Sequence, residues 1–151
     1  MSRLTDIGIR IEAPTRRGGL GGGVAAVLSE LVGMLERVAL GGDAATIDLR
    51  SLPMSPQDRI ELQQTLGQGE VQATLSAEGV STLHETGVSG VWWVEHRDRH
   101  GELIAELIEV VAIPQILAAS RDEMIAGGRA LRERLSIGHE ASLEPKHAPL
   151  S

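Results

Sequence analysis

The chain has no cysteine, no phenylalanine and no tyrosine. Without thiols it forms no disulfide, thiolate metal site, iron–sulfur ligation or cysteine nucleophile. It also lacks a long apolar run: nothing approaches the roughly 18 residues expected of a membrane span, and the opening MSRLTDIGIRIEAPTRR has no continuous apolar core of a signal peptide. Positive charge is short as well. Fourteen Lys and Arg stand against 21 Asp and Glu, and a net charge of -7 argues against binding nucleic acid or an anionic membrane surface. These absences predict a soluble, cytoplasmic protein that inserts into no membrane.

What is present is aliphatic, and 151 residues suffice for one domain whose core needs neither metal nor disulfide. Ile7, Ile9 and Ile11 alternate with polar or small neighbours, as in an edge strand or ordered arm. The glycine-rich APTRRGGLGGG that follows reads as a flexible linker. A phosphate cradle fails on spacing, because Val24 stands where a third glycine would follow Gly19 and Gly21, and no Gly-Lys-Ser/Thr follows. The expected division is an arm and linker at 1–22, one α+β domain at 23–137, and a disordered tail at 138–151, where GHEASLEPKHAPLS has little to pack.

Within the domain, Val24, Val27, Leu28, Leu31, Leu35 and Val38 recur at helical spacing, and Gly41 with Gly42 supplies a stop. ATIDLR at 45–50 alternates as a half-buried strand, although its mate is not identifiable. Ser55 before Pro56, with Asp58 three residues on, caps a short helix to about Leu66. Four strands are predicted over about 69–113, joined by short glycine-bearing turns as an antiparallel meander. The last of them is apolar on both faces and should lie centrally or be covered on both sides. Pro114 opens the next element. Ser120 with Glu123 forms a capping box for a second helix with Met124, Leu131 and Leu135 on one side, weakened by Gly127 and Gly128. The fold class expected is α+β: an antiparallel sheet of four or five strands with helices packed on it.

Trp92 and Trp93 are the only aromatic residues. Neighbours on a strand point to opposite faces, so one indole enters the core beneath a helix, while the other meets a second helix, another subunit or a partner. Burial of both is the alternative. His84, Glu85, His96 and His100 lie close in sequence, and a nickel-handling protein using these imidazoles is a rival reading. The pattern lacks a ligand signature and His96 to His100 reads more simply as a solvated turn, so no metal or cofactor site is assigned. Glu106, Glu109 and Glu85 are the candidate buried acids. A hydrolase or isomerase with a Glu106 or Glu109 base is a second rival, set against ion pairs of these acids with Arg97 or Arg99. No nucleophile elbow is present, and no catalytic residue is assigned. A homo-oligomer, such as a homodimer burying one indole, is a third.

Three stretches carry a resemblance: Gly69-Glu70-Val71, then Glu85-Thr86 with Gly90-Val91-Trp92-Trp93-Val94, then Ile108-Glu109-Val110 with Ile113-Pro114. In this order they resemble the C-terminal domain of the HupH/HyaF hydrogenase-expression family. The resemblance implies an accessory, chaperone-like role in maturation of nickel–iron uptake hydrogenase, with no enzymatic reaction of its own. It implies as partners an immature hydrogenase subunit, the iron–sulfur small subunit foremost, and other maturation factors. The expected partner-binding surface comprises Trp92, Trp93, Gly87, Gly90 and Glu85.

Overall fold

The computed structural model describes residues 19–143. The strand predicted at 6–12, the linker before residue 19 and the tail from residue 144 lie outside the described residues. The chain divides into two compact units, one up to Ala112 and one from Ile113 onward.

The first unit is an α+β fold built on a five-stranded antiparallel sheet. Its elements are α1 (Gly22–Ala39), β1 (Ala45–Asp48), a 3-10 turn (Leu49–Ser51), α2 (Pro56–Leu66), β2 (Gln72–Ser76), β3 (Val80–Glu85), β4 (Val91–Arg97) and β5 (Leu103–Val110). In space the strands run β1-β5-β4-β3-β2. The predicted meander is therefore present as β2 to β5. The strand whose mate could not be read pairs with β5, Ala45 opposite Val110 and Asp48 opposite Leu107, which puts the doubly apolar run between two neighbours.

The register sorts the side chains into two faces. Trp93 stands opposite His84 and Ile108, and Val91 opposite Val110, on the face that also carries Ile47. Against this face pack Val24, Val27, Leu31 and Met34 of α1 with Leu62 and Leu66 of α2, forming the hydrophobic core. The α1 stripe recurs at three and four residues, which keeps it on one side of the helix. Burying one such aliphatic side chain contributes about 1.5–3 kcal/mol, so this stripe is a main anchor of α1.

Local chemistry fixes the short helix. Ser55 Oγ accepts from the Asp58 backbone N–H at 3.1 Å, the Asp58 carboxylate accepts from the Ser55 N–H at 3.0 Å, and Pro56 takes the first helical position. A bond of 3.1 Å from the Gly21 N–H to Glu61 Oε1 ties the start of α1 to α2. After β1, Arg50 reaches across to donate to the carbonyls of Leu103 and Ile104 at 3.0 and 2.6 Å, clasping the turn to the start of β5. Beside that clasp His96 pairs with Ala105 while Arg97 pairs with Leu103, so Ile104 is the extra residue of a bulge.

The second unit holds a 3-10 turn (Gln115–Leu117), with Pro114 at its N-cap rather than at a first helical position, and α3 (Arg121–Leu143). The expected box is formed: the Ser120 N–H donates to Glu123 Oε2 at 2.6 Å, and the Glu123 N–H to Ser120 Oγ at 3.2 Å. The helix continues past Ile137 to Leu143. The added turn, Gly138 to Leu143, contains Glu140, Ala141 and Leu143, all good helix formers. Among the described residues no helix is long and apolar enough to cross a membrane.

Candidate functional site

The two indoles diverge as strand alternation requires, yet neither is bare. Trp93 is 1% exposed within the helix-covered core, and Trp92 is 4% exposed on the opposite face. There its neighbours across the strands are Glu85 and Glu109, both half-buried. Trp92 Nε1 donates to the Val111 carbonyl at 3.1 Å, whereas Trp93 Nε1 is buried without a hydrogen-bond partner. His84 stacks on Trp93, with ring centroids 6.4 Å apart and 15° between planes. Both tryptophans of the expected surface are thus buried, and what stands exposed near them is the turn that carries Gly87 and Val88.

That backbone is a tightly cross-linked corner. The Gly69 N–H donates to the Glu85 carbonyl at 2.7 Å, and the Glu85 N–H to the Val71 carbonyl at 2.8 Å. Thr86, 2% exposed, donates to the Val91 carbonyl from both its backbone N–H and its hydroxyl, each at 2.9 Å, while its Oγ1 accepts from the Val88 N–H at 3.1 Å. The Gly87 N–H reaches the Leu66 carbonyl at the end of α2, and the Val111 N–H reaches the Gly90 carbonyl, both at 2.9 Å. Three separate stretches of sequence therefore meet at one place, and two glycines there have steric reasons. A Cβ on Gly69 would stand 2.7 Å from the Thr86 carbonyl oxygen. Gly90 adopts φ 82°, in the left-handed region that disfavours side chains. Outward from the corner stand Val71, Val88, Glu70 and the exposed Gly87.

The other predicted groups are not brought together. His84 lies on the helix-covered face of β3, while His96 lies on the opposite face of β4, where its Nδ1 is 2.7 Å from Ser81 Oγ. His100 is exposed in the β4–β5 turn, where Asp98 Oδ1 accepts from its backbone N–H. No group of three or more metal-ligating side chains is assembled among the described residues. Burial pushes the His84 imidazole below its ordinary value, against the pull of Glu95, so the ring stacked on Trp93 is neutral at physiological pH.

Glu106 is the buried acid, 4% exposed. Its ion partner is Arg59 of α2 at 2.7 Å; Arg97 instead pairs with Glu95 at 3.2 Å. The expected partners were thus the wrong ones for Glu106, because α2 delivers an arginine over the strand. Burial raises the Glu106 carboxyl above its ordinary range, and the Arg59 guanidinium opposes the rise. Arg59 and Val111 carried no signal of their own in the sequence, since their roles come from partners folded next to them, while Thr86 was marked only as part of the Glu85-Thr86 element.

Geometry of this kind defines a sheet-and-helix module whose polar groups are spent on holding a corner and bridging a helix to a strand. The chain belongs to the HupH family: residues 23–137 match the HupH hydrogenase expression protein, C-terminal conserved region. It is 32% identical over 109 residues to the hydrogenase expression/formation protein HoxQ of Azotobacter vinelandii, and 32% identical over 107 residues to the hydrogenase expression/formation protein HupH of Rhizobium leguminosarum bv. viciae. Each match covers 71% of this chain and 38% of the relative, so the chain spans well under half the length of either. The solved structure of the hydrogenase expression protein HupH from Thiobacillus denitrificans ATCC 25259 is similar with a TM-score of 0.73 at 38% identity, covering 77% of this chain and 97% of that one.

Proposed function

We propose that this domain is an accessory module in the maturation of nickel–iron hydrogenase, and that it holds an immature subunit, the iron–sulfur small subunit, without catalysing a reaction on it. The observation that carries the reading is the corner. The residues of the family resemblance are the ones that build it, and its outer rim offers Val71 and Val88 at 46% and 37% exposure beside Glu70 and Glu85. The partner surface is the rim with Gly87 and Gly90, stiffened from beneath by Trp92 and Trp93. A rigid loop binds at low ordering cost, which suits capture of a client that is itself not yet folded.

The test uses the purified chain with immature small subunit and, separately, immature large subunit in calorimetric titrations. Binding of the small subunit is expected, with Val88→Asp weakening it at least about tenfold while the unfolding transition stays in place. Unchanged affinity in the folded variant removes the corner from the reading. Preference for the large subunit overturns the choice of client.

A further inference from the structure

The two edges of the five-stranded sheet are finished differently. At one edge β1 is four residues long and carries Asp48, and Arg50 just after it is bonded across to β5. At the other edge Val71 to Ala77 runs without a charge, a proline or a glycine, and Gln72 to Ser76 pair with His84 to Val80 in unbroken register. Sheet edges are commonly guarded against further pairing by charge, proline or a bulge. The β2 edge has none of these.

The register also shows which main-chain groups are spent. The Glu85 N–H donates to the Val71 carbonyl at 2.8 Å, and the Ala77 N–H to the Gly79 carbonyl at 3.0 Å. Bonding alternates along an antiparallel pair, so Val71, Ala73, Leu75 and Ala77 direct their main-chain groups at β3, while Gln72, Thr74 and Ser76 turn N–H and C=O outward. No strand lies beyond β2 among the described residues. The side chains of Gln72, Thr74 and Ser76 are exposed, and those of Ala73 and Leu75, on the other face, are half-buried.

This open edge begins at the corner, whose rim holds Glu70 and Val71. There Glu85 sets Oε2 3.0 Å from where a Cβ on Gly69 would stand, and the ion pairs among the described residues, Arg59–Glu106 and Arg97–Glu95, include neither Glu70 nor Glu85. At the far end Glu78 lines a hollow together with Arg97 and Arg99, so the acidic end of the edge is the corner. A second copy paired along the whole edge would set Glu70 opposite Glu78 at both ends, between chains that each carry a net charge of -7, and like charges directly opposite are unfavourable. We propose that an extended segment of the client adds to β2 as a further strand. The proposal rests on the reading of the corner as the place where an immature subunit is held, and it states how the subunit is held. Main-chain pairing with Gln72, Thr74 and Ser76 supplies the attachment, alternate apolar side chains of the segment cover Ala73 and Leu75, and a Lys or Arg of the segment meets Glu70 and Glu85.

The test follows amide hydrogen exchange of the full chain, residue by residue, with and without the immature small subunit. The N–H groups of Gln72, Thr74 and Ser76 are expected to slow by about tenfold or more on binding, and those of Ala73 and Leu75, already turned toward β3, to change less. Thr74→Pro removes only an outward N–H, which an edge strand tolerates, and should weaken capture by about tenfold or more with the unfolding transition in place. Glu70→Lys should weaken it by about threefold or more, and an unchanged affinity there removes the basic residue from the segment. Binding that leaves the outward amides as fast as before, or equally tight capture by folded Thr74→Pro, overturns the added strand while the corner stands. Absence of any binding overturns both. Slowing of the same amides as the chain alone is concentrated gives the edge to a second copy and overturns the proposal as well.

Discussion

Replacing Arg59 by methionine leaves the aliphatic stem and removes the charge that faces Glu106. The carboxylate side chain is 6% exposed and its partner 31%. Removing one member of a fully buried pair costs about 3–5 kcal/mol, because the remaining charge is stranded. Arg59 is about a third open to water, which screens the pair, so a loss of about 2–3 kcal/mol is expected at neutral pH. For a chain of this length that lowers the melting temperature by roughly 5–10 °C.

The loss should also depend on pH. Glu106 already lies above the ordinary carboxylate range through burial, opposed by Arg59, Arg50 and Arg97 and reinforced by Glu95. Deleting Arg59 raises it further. A carboxyl raised in the folded state binds protons more tightly folded than unfolded, so its destabilising effect is complete above the folded value and vanishes as pH falls below the unfolded one. Urea titrations followed by tryptophan fluorescence, at about pH 5 and about pH 7.5, should show the larger defect at the higher pH. Glu106→Gln added to Arg59→Met should recover most of it. A defect below about 0.5 kcal/mol, or one equal at both pH values, refutes the account of a stranded carboxylate.

Three further outcomes follow from the same geometry. Trp92→Phe loses the bond to the Val111 carbonyl and should cost about 1 kcal/mol more than ring volume alone, whereas Trp93→Phe removes an unpartnered donor and should cost less than Trp92→Phe in denaturant titration. Gly69→Ala drives a Cβ against the Thr86 carbonyl and should destabilise the fold by about 1–3 kcal/mol, with faster amide exchange at Gly69 and Thr86 as the local sign. Ser55→Ala should cost about 1 kcal/mol by removing the α2 cap, and thermal unfolding measures it.

Periodicity was sufficient wherever structure is local. The α1 stripe, the Ser55 cap, the Ser120–Glu123 capping box and the four strands of the meander could be read because spacing along the chain sets which way side chains point. The mate of β1 was not legible, since pairing Ala45 with Val110 is decided by a sheet edge that the intervening residues must first build. The same limit governed the tryptophans. Alternation sent them to opposite faces but could not say whether the second face is covered, and Trp92 proved buried. Glu106 was recognised as a buried acid, but its neutralising arginine comes from α2, far away in sequence. The corner was visible as three isolated motifs. Its unity lies in main-chain hydrogen bonds, which have no side-chain signature.

The strand order also sets a timetable. Hairpins β2–β3, β3–β4 and β4–β5 join neighbours in sequence and can close on their own, whereas β1 must wait for β5. At roughly 5–20 residues per second, a nascent chain keeps β1 without its mate for several seconds while the intervening strands are made. During that interval Ile47 and the apolar stripe of α1 have no finished sheet to cover. Of the five strands, β1 is therefore the one made longest before its mate, and its seam, like that of β4, cannot close until β5 has been made.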